Sequence, residues 1–138
     1  MRVFLDTSAC AKRYVDETGS DKVLALCQAA DSLVVSVICL PELISALARL
    51  VREKRLDRGQ YQQLKTQVMA DLADADICQL TADVLTSVLP LLEMNALRAM
   101  DAIHIACALL VQPDAFVSAD RMQLAAARKA GLKTVDVS

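Results

Sequence analysis

The chain has 138 residues, of which 55% are hydrophobic, and its formal net charge at pH 7 is −2. This length and apolar content suit one domain with a core on both sides of a sheet, so we expect a single domain over residues 1–138. The slightly negative charge argues against binding of nucleic acid through bulk positive charge, and with 3% aromatic residues there are few stacking platforms for single strands. A nucleic-acid substrate would need a local basic patch or a bridging metal ion.

The five cysteines are scattered through apolar segments, and no CxxC pair occurs. Together with a single histidine, this pattern argues against a zinc site and is typical of reduced, buried thiols in an intracellular protein. The opening apolar run stops at Asp6, which argues against a signal peptide, and no uncharged apolar run reaches the roughly 18 residues of a membrane helix. We therefore expect a cytoplasmic protein.

Strand-like and helix-like segments alternate along the chain. Strands are predicted at 3–5, 33–38, 76–80, 115–118 and 133–137. Helices are predicted from the Asp6 cap to Tyr14, at 22–30, from Pro41, at 57–73, from Thr81 until Pro90 kinks or ends the helix, over 98–110, and from Arg121 to Gly131. The alternation predicts an α/β fold with three α/β/α layers and a central parallel sheet of about five strands.

The stretch 98–110 places a carboxylate at the head of a helix that is otherwise apolar. From Ala102 onward only His104 is polar, which indicates a buried helix. A buried carboxylate is costly unless it is paired or bound to a metal ion, so Asp101 needs a partner. Its ordinary alternative is a cap on the first N–H groups of the helix.

Three further acids occupy comparable positions. Asp6 ends the first predicted strand, Glu42 opens the helix after the second, and Asp120 follows the fourth. Active sites of open α/β sheets lie beyond the carboxyl ends of the strands, so we expect these acids to converge with Asp101. Each acid alone has an ordinary interpretation as a cap, a helix-dipole partner or a turn residue. Together they favour a functional site.

A cluster of carboxylates is stable only when a cation lies among them. Oxygen ligands without histidine or cysteine select Mg²⁺ or Mn²⁺. A divalent ion held in this way can lower the pKa of bound water and stabilise in-line attack at phosphorus. Metal-dependent phosphodiester hydrolysis is therefore predicted, with the four acids as catalytic and metal-binding residues: Asp6, Glu42, Asp101 and Asp120.

The polar neighbours of these acids have two interpretations each. His104 contacts the site or is a satisfied core histidine, and we favour the core. Arg98, one turn before Asp101, neutralises a phosphate or pairs with that acid. The charged segment 49–58 contacts RNA or is a solvated helix end, and the solvated end is favoured. Lys12 and Arg13 contact RNA backbone or lie on the surface of a short helix, again with the surface favoured.

Four segments resemble the PIN-domain ribonucleases and, more narrowly, the VapC toxins of bacterial toxin–antitoxin modules. They are Phe-Leu-Asp-Thr-Ser-Ala at 4–9, Pro-Glu-Leu at 41–43, Met-Asp-Ala-Ile-His at 100–104 and Val-Ser-Ala-Asp at 117–120. The first and third are the specific ones. By this resemblance, Asp6, Glu42, Asp101 and Asp120 match the acidic metal-binding positions. Ser118 matches a supporting hydroxyl, and Thr7 and Ser8 match hydroxyls beside the first acid.

The resemblance implies endonucleolytic cleavage of RNA with Mg²⁺ or Mn²⁺ as cofactor. It also implies a homodimer and a small antitoxin that blocks the site. Two alternatives remain: a PIN-like nuclease of RNA processing without an antitoxin, and a non-catalytic PIN-like binding module. Other phosphotransfer folds are disfavoured. An Asp-x-Asp motif after the first strand is absent, since Asp6 is followed by Thr7 and Ser8, and no Walker or dinucleotide loop occurs.

Overall fold

A computed structural model describes residues 1–138, with five strands and seven helices. The strands are β1 (Arg2–Leu5), β2 (Ser32–Ser36), β3 (Asp76–Cys78), β4 (Ala115–Ser118) and β5 (Thr134–Asp136). The helices are α1 (Thr7–Ala11), α2 (Ser20–Ala29), α3 (Cys39–Arg52), α4 (Arg58–Ala73), α5 (Ala82–Met94), α6 (Ala99–Val111) and α7 (Arg121–Lys129). None of the helices combines the length and the apolar character that crossing a membrane requires.

The five strands form one parallel sheet in the order β3-β2-β1-β4-β5. The chain builds outward from β1 in one direction through β2 and β3, and then continues on the other side of β1 with β4 and β5. The point where the strand order reverses therefore lies between β1 and β4. A crevice opens at the carboxyl ends of the strands at such a point, and this is where open α/β sheets bind ligands.

Alternate residues of β1 divide the core into two layers. Val3 and Leu5 belong to an apolar cluster that also contains buried residues of α1, α2, α3 and α4. Phe4 points to the other face, where it stacks on Phe116 with ring centroids 5.6 Å apart and packs with α5, α6 and α7. The sheet is thus covered on both faces, and the predicted three-layer α/β/α fold is confirmed.

Several predicted boundaries were wrong. Helix α3 begins at Cys39, two residues before Pro41, because N–H groups in the first turn have no partner within the helix and proline loses nothing there. Of the two effects predicted for Pro90, a kink or an end, the end is wrong, because α5 continues to Met94 with Val88 and Leu91 buried on either side of the proline. Helix α1 ends at Ala11 rather than Tyr14.

Candidate active site

The carboxylate of Asp6 is buried at the carboxyl end of β1, with 1% of the residue exposed. Its oxygens accept hydrogen bonds from the hydroxyl of Ser8 at 2.7 and 2.9 Å, from the hydroxyl of Ser118 at 2.6 Å and from the N–H of Ala9 at 2.8 Å. Burial raises the pKa of Asp6, while these hydrogen bonds act to lower it. Asp6 is therefore the cap of α1 and at the same time an acid at the sheet crevice.

Ser118, the last residue of β4, connects Asp6 with Asp120. Its hydroxyl donates to Asp6 and accepts a hydrogen bond from the N–H of Asp120 at 3.0 Å. The Asp120 carboxylate in turn accepts from the N–H groups of Met122 at 2.9 Å and Gln123 at 3.1 Å, and so caps α7. The two acids that end neighbouring strands are thus joined through one buried hydroxyl.

Glu42 lies in the first turn of α3, half-buried, and its Oε1 has two partners. The hydroxyl of Thr7 donates to it at 2.6 Å, and Nε2 of His104 lies 2.7 Å from it. Burial acts to raise the pKa of Glu42, but the hydrogen bonds from His104 and Thr7 outweigh it, and the pKa is lowered. Glu42 is therefore held ionised and fixed in orientation by residues of two other helices.

His104 is buried, as expected, but it is not the satisfied core histidine that the sequence favoured. Its Nε2 bonds to Glu42, whereas its buried Nδ1 has no hydrogen-bond partner. Because an ionised carboxylate can only accept, we infer that Nε2 carries the hydrogen. The ring thus belongs to the polar site and orients Glu42 from α6.

Asp101 is the third residue of α6 and does not cap it. The N-cap is Arg98, whose Nε lies 3.1 Å from the Asp101 carboxylate. The capping alternative for Asp101 is therefore wrong, and the arginine pairs with this acid instead. The Arg98 side chain is 84% exposed, so the pair lies at the mouth of the crevice. Attraction to Asp101, and at longer range to Asp120 and Glu42, raises the pKa of Arg98.

Gln123 is a site residue that sequence reasoning missed. It is 1% exposed, and its side-chain amide donates to the backbone carbonyl of Asp101 at 3.2 Å while its N–H is capped by Asp120. It thereby connects the first turns of α6 and α7. The Asp-x-x-Gln spacing at 120–123, which resembles a capping box, was the signal that could have identified it.

Lys12 and Arg13 are both bound to neighbouring groups of the protein. The Lys12 ammonium is buried, donates to the carbonyl of Thr18 and lies 3.3 Å from Glu17. Arg13 pairs with Asp71 at 3.4 Å. The favoured interpretation as surface charges is therefore wrong for both side chains.

The four acids are linked through shared neighbours and are not gathered around one point. Each carboxylate is held by hydroxyl, N–H, imidazole or guanidinium donors, and no three Asp, Glu, His or Cys side chains are close enough together to hold a metal ion as they stand. The candidate metal ligands are nevertheless carboxylate oxygens, because Nε2 of His104 is already bonded to Glu42. This chemistry fits Mg²⁺ or Mn²⁺ rather than a softer metal.

Comparison with known proteins places the chain in a family. Residues 3–130 match the model of the PIN domain. Two relatives from Mycobacterium tuberculosis, Ribonuclease VapC45 of strain CDC 1551 / Oshkosh and Ribonuclease VapC49 of strain ATCC 25618 / H37Rv, are each 32% identical over 133 residues, which is 95% of this chain and 92% of the relative.

Solved structures share the fold at lower identity. A toxin–antitoxin complex from Klebsiella pneumoniae superposes with a TM-score of 0.71 at 15% identity, covering 99% of this chain and 98% of that chain. VapBC2 from Rickettsia felis, bound to a DNA fragment from its promoter, gives 0.71 at 14% identity and covers both chains completely. FitAcB from Neisseria gonorrhoeae gives 0.72 at 14% identity, covering 97% and 96%. The family model and the relatives at 32% identity establish that this chain belongs to the PIN-domain family.

Proposed function

We propose that this protein is a metal-dependent endoribonuclease that hydrolyses RNA phosphodiester bonds and acts as the toxin of a toxin–antitoxin pair. One observation carries the proposal. Acids from four separate parts of the chain are linked through hydrogen-bonding neighbours. Ser118 bonds with Asp6 and Asp120, and Gln123 bonds with Asp120 and Asp101. Glu42 bonds with Thr7, the neighbour of Asp6, and with His104, one helical turn after Asp101. A purely structural role would not require four carboxylates at one crevice of an acidic protein.

The metal ion, Mg²⁺ or Mn²⁺, is assigned to the four acids: Asp6, Glu42, Asp101 and Asp120. When bound, such an ion stabilises negative charge that develops on the phosphate and lowers the pKa of water. Ser8 and Ser118 fix the carboxylate of Asp6 for this role, and Thr7 and His104 fix that of Glu42.

Arg98 is assigned to the substrate phosphate. Its guanidinium is exposed at the crevice mouth and pairs with Asp101, an arrangement that neutralises part of the acidic cluster before RNA arrives. With Asp101 engaged in holding the ion, Arg98 would be free to bind an incoming phosphate. Arginine suits this role because its planar donor fork matches phosphate oxygens.

The same comparison supports a proposal about the partners of this protein. Two relatives are named VapC ribonucleases, and several structures of the same fold are toxin–antitoxin complexes, which supports a small antitoxin as partner. We also propose a cytoplasmic homodimer. Its contact surface is assigned to α5, where large apolar side chains are exposed: Leu85, Leu89 and Met94. An apolar surface of this kind favours association.

A cleavage assay tests the activity. The purified protein, freed of any co-purified partner, is incubated with total RNA in Mg²⁺, in Mn²⁺ or in EDTA. Asp101→Asn is the test variant, and Asp74→Asn, an exposed acid at the end of α4, is the matched control. Cleavage by wild type and control only, and only with metal, is expected.

Three results would contradict the proposal. Cleavage that persists in EDTA would exclude a metal requirement, and equal cleavage by Asp101→Asn would exclude the assigned site. No cleavage and no binding of Mn²⁺ by the wild type would favour the non-catalytic binding module. A nuclease of RNA processing is distinguished by its genetic context, because a toxin requires a gene for a small antitoxin beside its own.

A further inference from the structure

A groove leads away from the acidic crevice along helix α3. Its volume is about 450 Å³, and it lies between α3 and the beginning of α6. The residues that line it include Glu42 at one end, Arg98 and Met100 on the α6 side, and Ser45 and Arg49 along α3. The groove is therefore continuous with the site and carries two cations in a region that is otherwise acidic.

Arg49 is the cation in this groove that no acid neutralises. Its side chain is exposed, and no carboxylate oxygen lies within 4.0 Å of its guanidinium. Two other arginines near the site are paired: Arg13 with Asp71, and Arg98 with Asp101. Arg49 is therefore the unpaired positive charge nearest to Glu42 along α3.

The spacing on α3 sets the distance from the site. Arg49 follows Glu42 by seven residues, which is two helical turns, so both face the same side about 10 Å apart along the axis. That separation is too long for the phosphate that reacts at the acids. It suits a neighbouring phosphate of the same strand, with the extended chain passing along the groove.

We propose that Arg49 binds the RNA backbone at a phosphate adjacent to the cleaved one, and that the groove between α3 and α6 carries the single-stranded substrate. The inference rests on the proposed ribonuclease function. It answers how a protein with net charge −2 attracts a polyanion to an acidic site: a short local cationic path supplies the attraction that the whole molecule lacks.

The charged residues of the segment 49–58 therefore have different surroundings. Arg52 and Arg58 line a different depression, of about 300 Å³, together with Tyr61. Arg55 lies 3.9 Å from Glu53 at the end of α3. The sequence interpretation as a solvated helix end applies to these residues, whereas Arg49 alone faces the groove that begins at the acids.

The test is RNA binding measured without turnover. Fluorescence anisotropy of a labelled single-stranded RNA of about 12 nucleotides is followed in EDTA over a series of salt concentrations. Arg49→Gln is compared with Arg52→Gln, which removes the same charge from the same helix but outside the groove. Circular dichroism and Mn²⁺ binding verify that both variants keep the fold and the site.

Arg49→Gln is expected to weaken RNA binding about three- to fivefold and to reduce the slope of log affinity against log salt by about 0.7, the contribution of one phosphate contact in a single strand. Arg52→Gln is expected to stay within about twofold of wild type. In cleavage assays, Arg49→Gln should raise KM more than it lowers kcat, because the contact binds substrate without touching the reacting phosphate.

Three outcomes overturn the proposal: an unchanged affinity in Arg49→Gln, an equal loss in Arg52→Gln, or no RNA binding by the wild type. An equal loss in Arg52→Gln would indicate diffuse electrostatic attraction. Absence of RNA binding by the wild type would indicate that a protein segment occupies the groove. Failure of the ribonuclease function is separable from these. RNA binding that depends on Arg49, without cleavage in any metal, would support the RNA groove and contradict the ribonuclease function. Cleavage that does not depend on Arg49 would support the ribonuclease function and contradict the RNA groove.

Discussion

Ser118 connects two strand ends through one hydroxyl, and its loss is predicted to be costly. Replacement by alanine removes the 2.6 Å hydrogen bond to the buried carboxylate of Asp6 and the acceptor for the N–H of Asp120. A buried carboxylate short of a donor costs about 1–2 kcal/mol of unfolding free energy and shifts its pKa further upward.

Urea unfolding at neutral pH measures this cost for Ser118→Ala. Ser87→Ala is the control, since the Ser87 hydroxyl is exposed on α5 and bonds only to the carbonyl of Asp83. The control should change stability by less than about 0.5 kcal/mol. Equal stability of the two variants would mean that Ser118 does not support the acids.

Arg98→Gln is predicted to strengthen binding of Mn²⁺ by about two- to fivefold, because the guanidinium competes with a cation for the Asp101 carboxylate. The helix should be unaffected, since the Arg98 side chain makes no capping hydrogen bond. Isothermal titration calorimetry compares Arg98→Gln with Arg52→Gln, which loses the same charge away from the acids. Weaker Mn²⁺ binding in Arg98→Gln would show that the arginine does not compete.

At the scale of single residues, the sequence predicted where acids fall but not how they are held. Acids at strand ends and helix starts follow a pattern that can be read locally. The contacts of His104 and Thr7 with Glu42 join three helices that are far apart in sequence, and no local pattern encodes them. For the same reason, the sequence could not decide whether Asp101 caps α6 or pairs with Arg98, since this depends on which residue is the N-cap.

Gly19 begins helix α2 under a constraint that no other residue type meets. Its φ is +91°, and a Cβ there would lie 1.9 Å from the backbone carbonyl oxygen of Val137. Gly19→Ala therefore combines left-handed strain of about 1–2 kcal/mol with a displacement of the chain after β5.

Gly131→Ala is the matched control for this change, because its φ of +99° carries similar strain but no atom lies within 4 Å of the added Cβ. Urea unfolding should find Gly19→Ala at least twice as destabilising as Gly131→Ala. Equal losses of unfolding free energy in the two variants would mean that the segment after β5 moves aside at no cost and does not hold α2 in position.

At the scale of elements, the type of each helix and strand was predicted better than its ends. The strand at 115–118 matches β4 in full, because an apolar run there is closed at both ends by polar residues. Helix α5 passes through Pro90, because burial of its apolar face outweighs the one hydrogen bond that proline removes. Local signals cannot weigh such tertiary packing.

The proposed dimer is tested at the scale of the whole molecule. Leu89 is 58% exposed at the middle of the apolar surface on α5, so Leu89→Glu should convert a dimer into a monomer in light scattering. Leu24→Glu, at a site 43% exposed on α2, is the control and should leave the dimer intact. A monomeric wild type, or a dimer that survives Leu89→Glu, would contradict the proposed surface.

The parallel sheet could be predicted from the alternation of strands and helices, but the order of its strands could not. Pairing of β1 with β4 brings Val3 beside Ala115 across more than a hundred residues. Which neighbour β1 takes depends on how the helices divide between the two faces of the sheet. This division creates the crevice at the ends of β1 and β4, and with it the meeting of Asp6 and Asp120.

The most direct test of the metal site is Mn²⁺ binding measured by calorimetry. We propose that the four acids are drawn together when they bind an ion. Asp74 is not among them, so wild type and Asp74→Asn should bind Mn²⁺ alike. Asp101→Asn should bind it at least about tenfold more weakly, because charge count sets the affinity of an oxygen-ligand site. Absence of binding by the wild type, or equal binding by Asp101→Asn, would contradict a metal centre built on these four carboxylates.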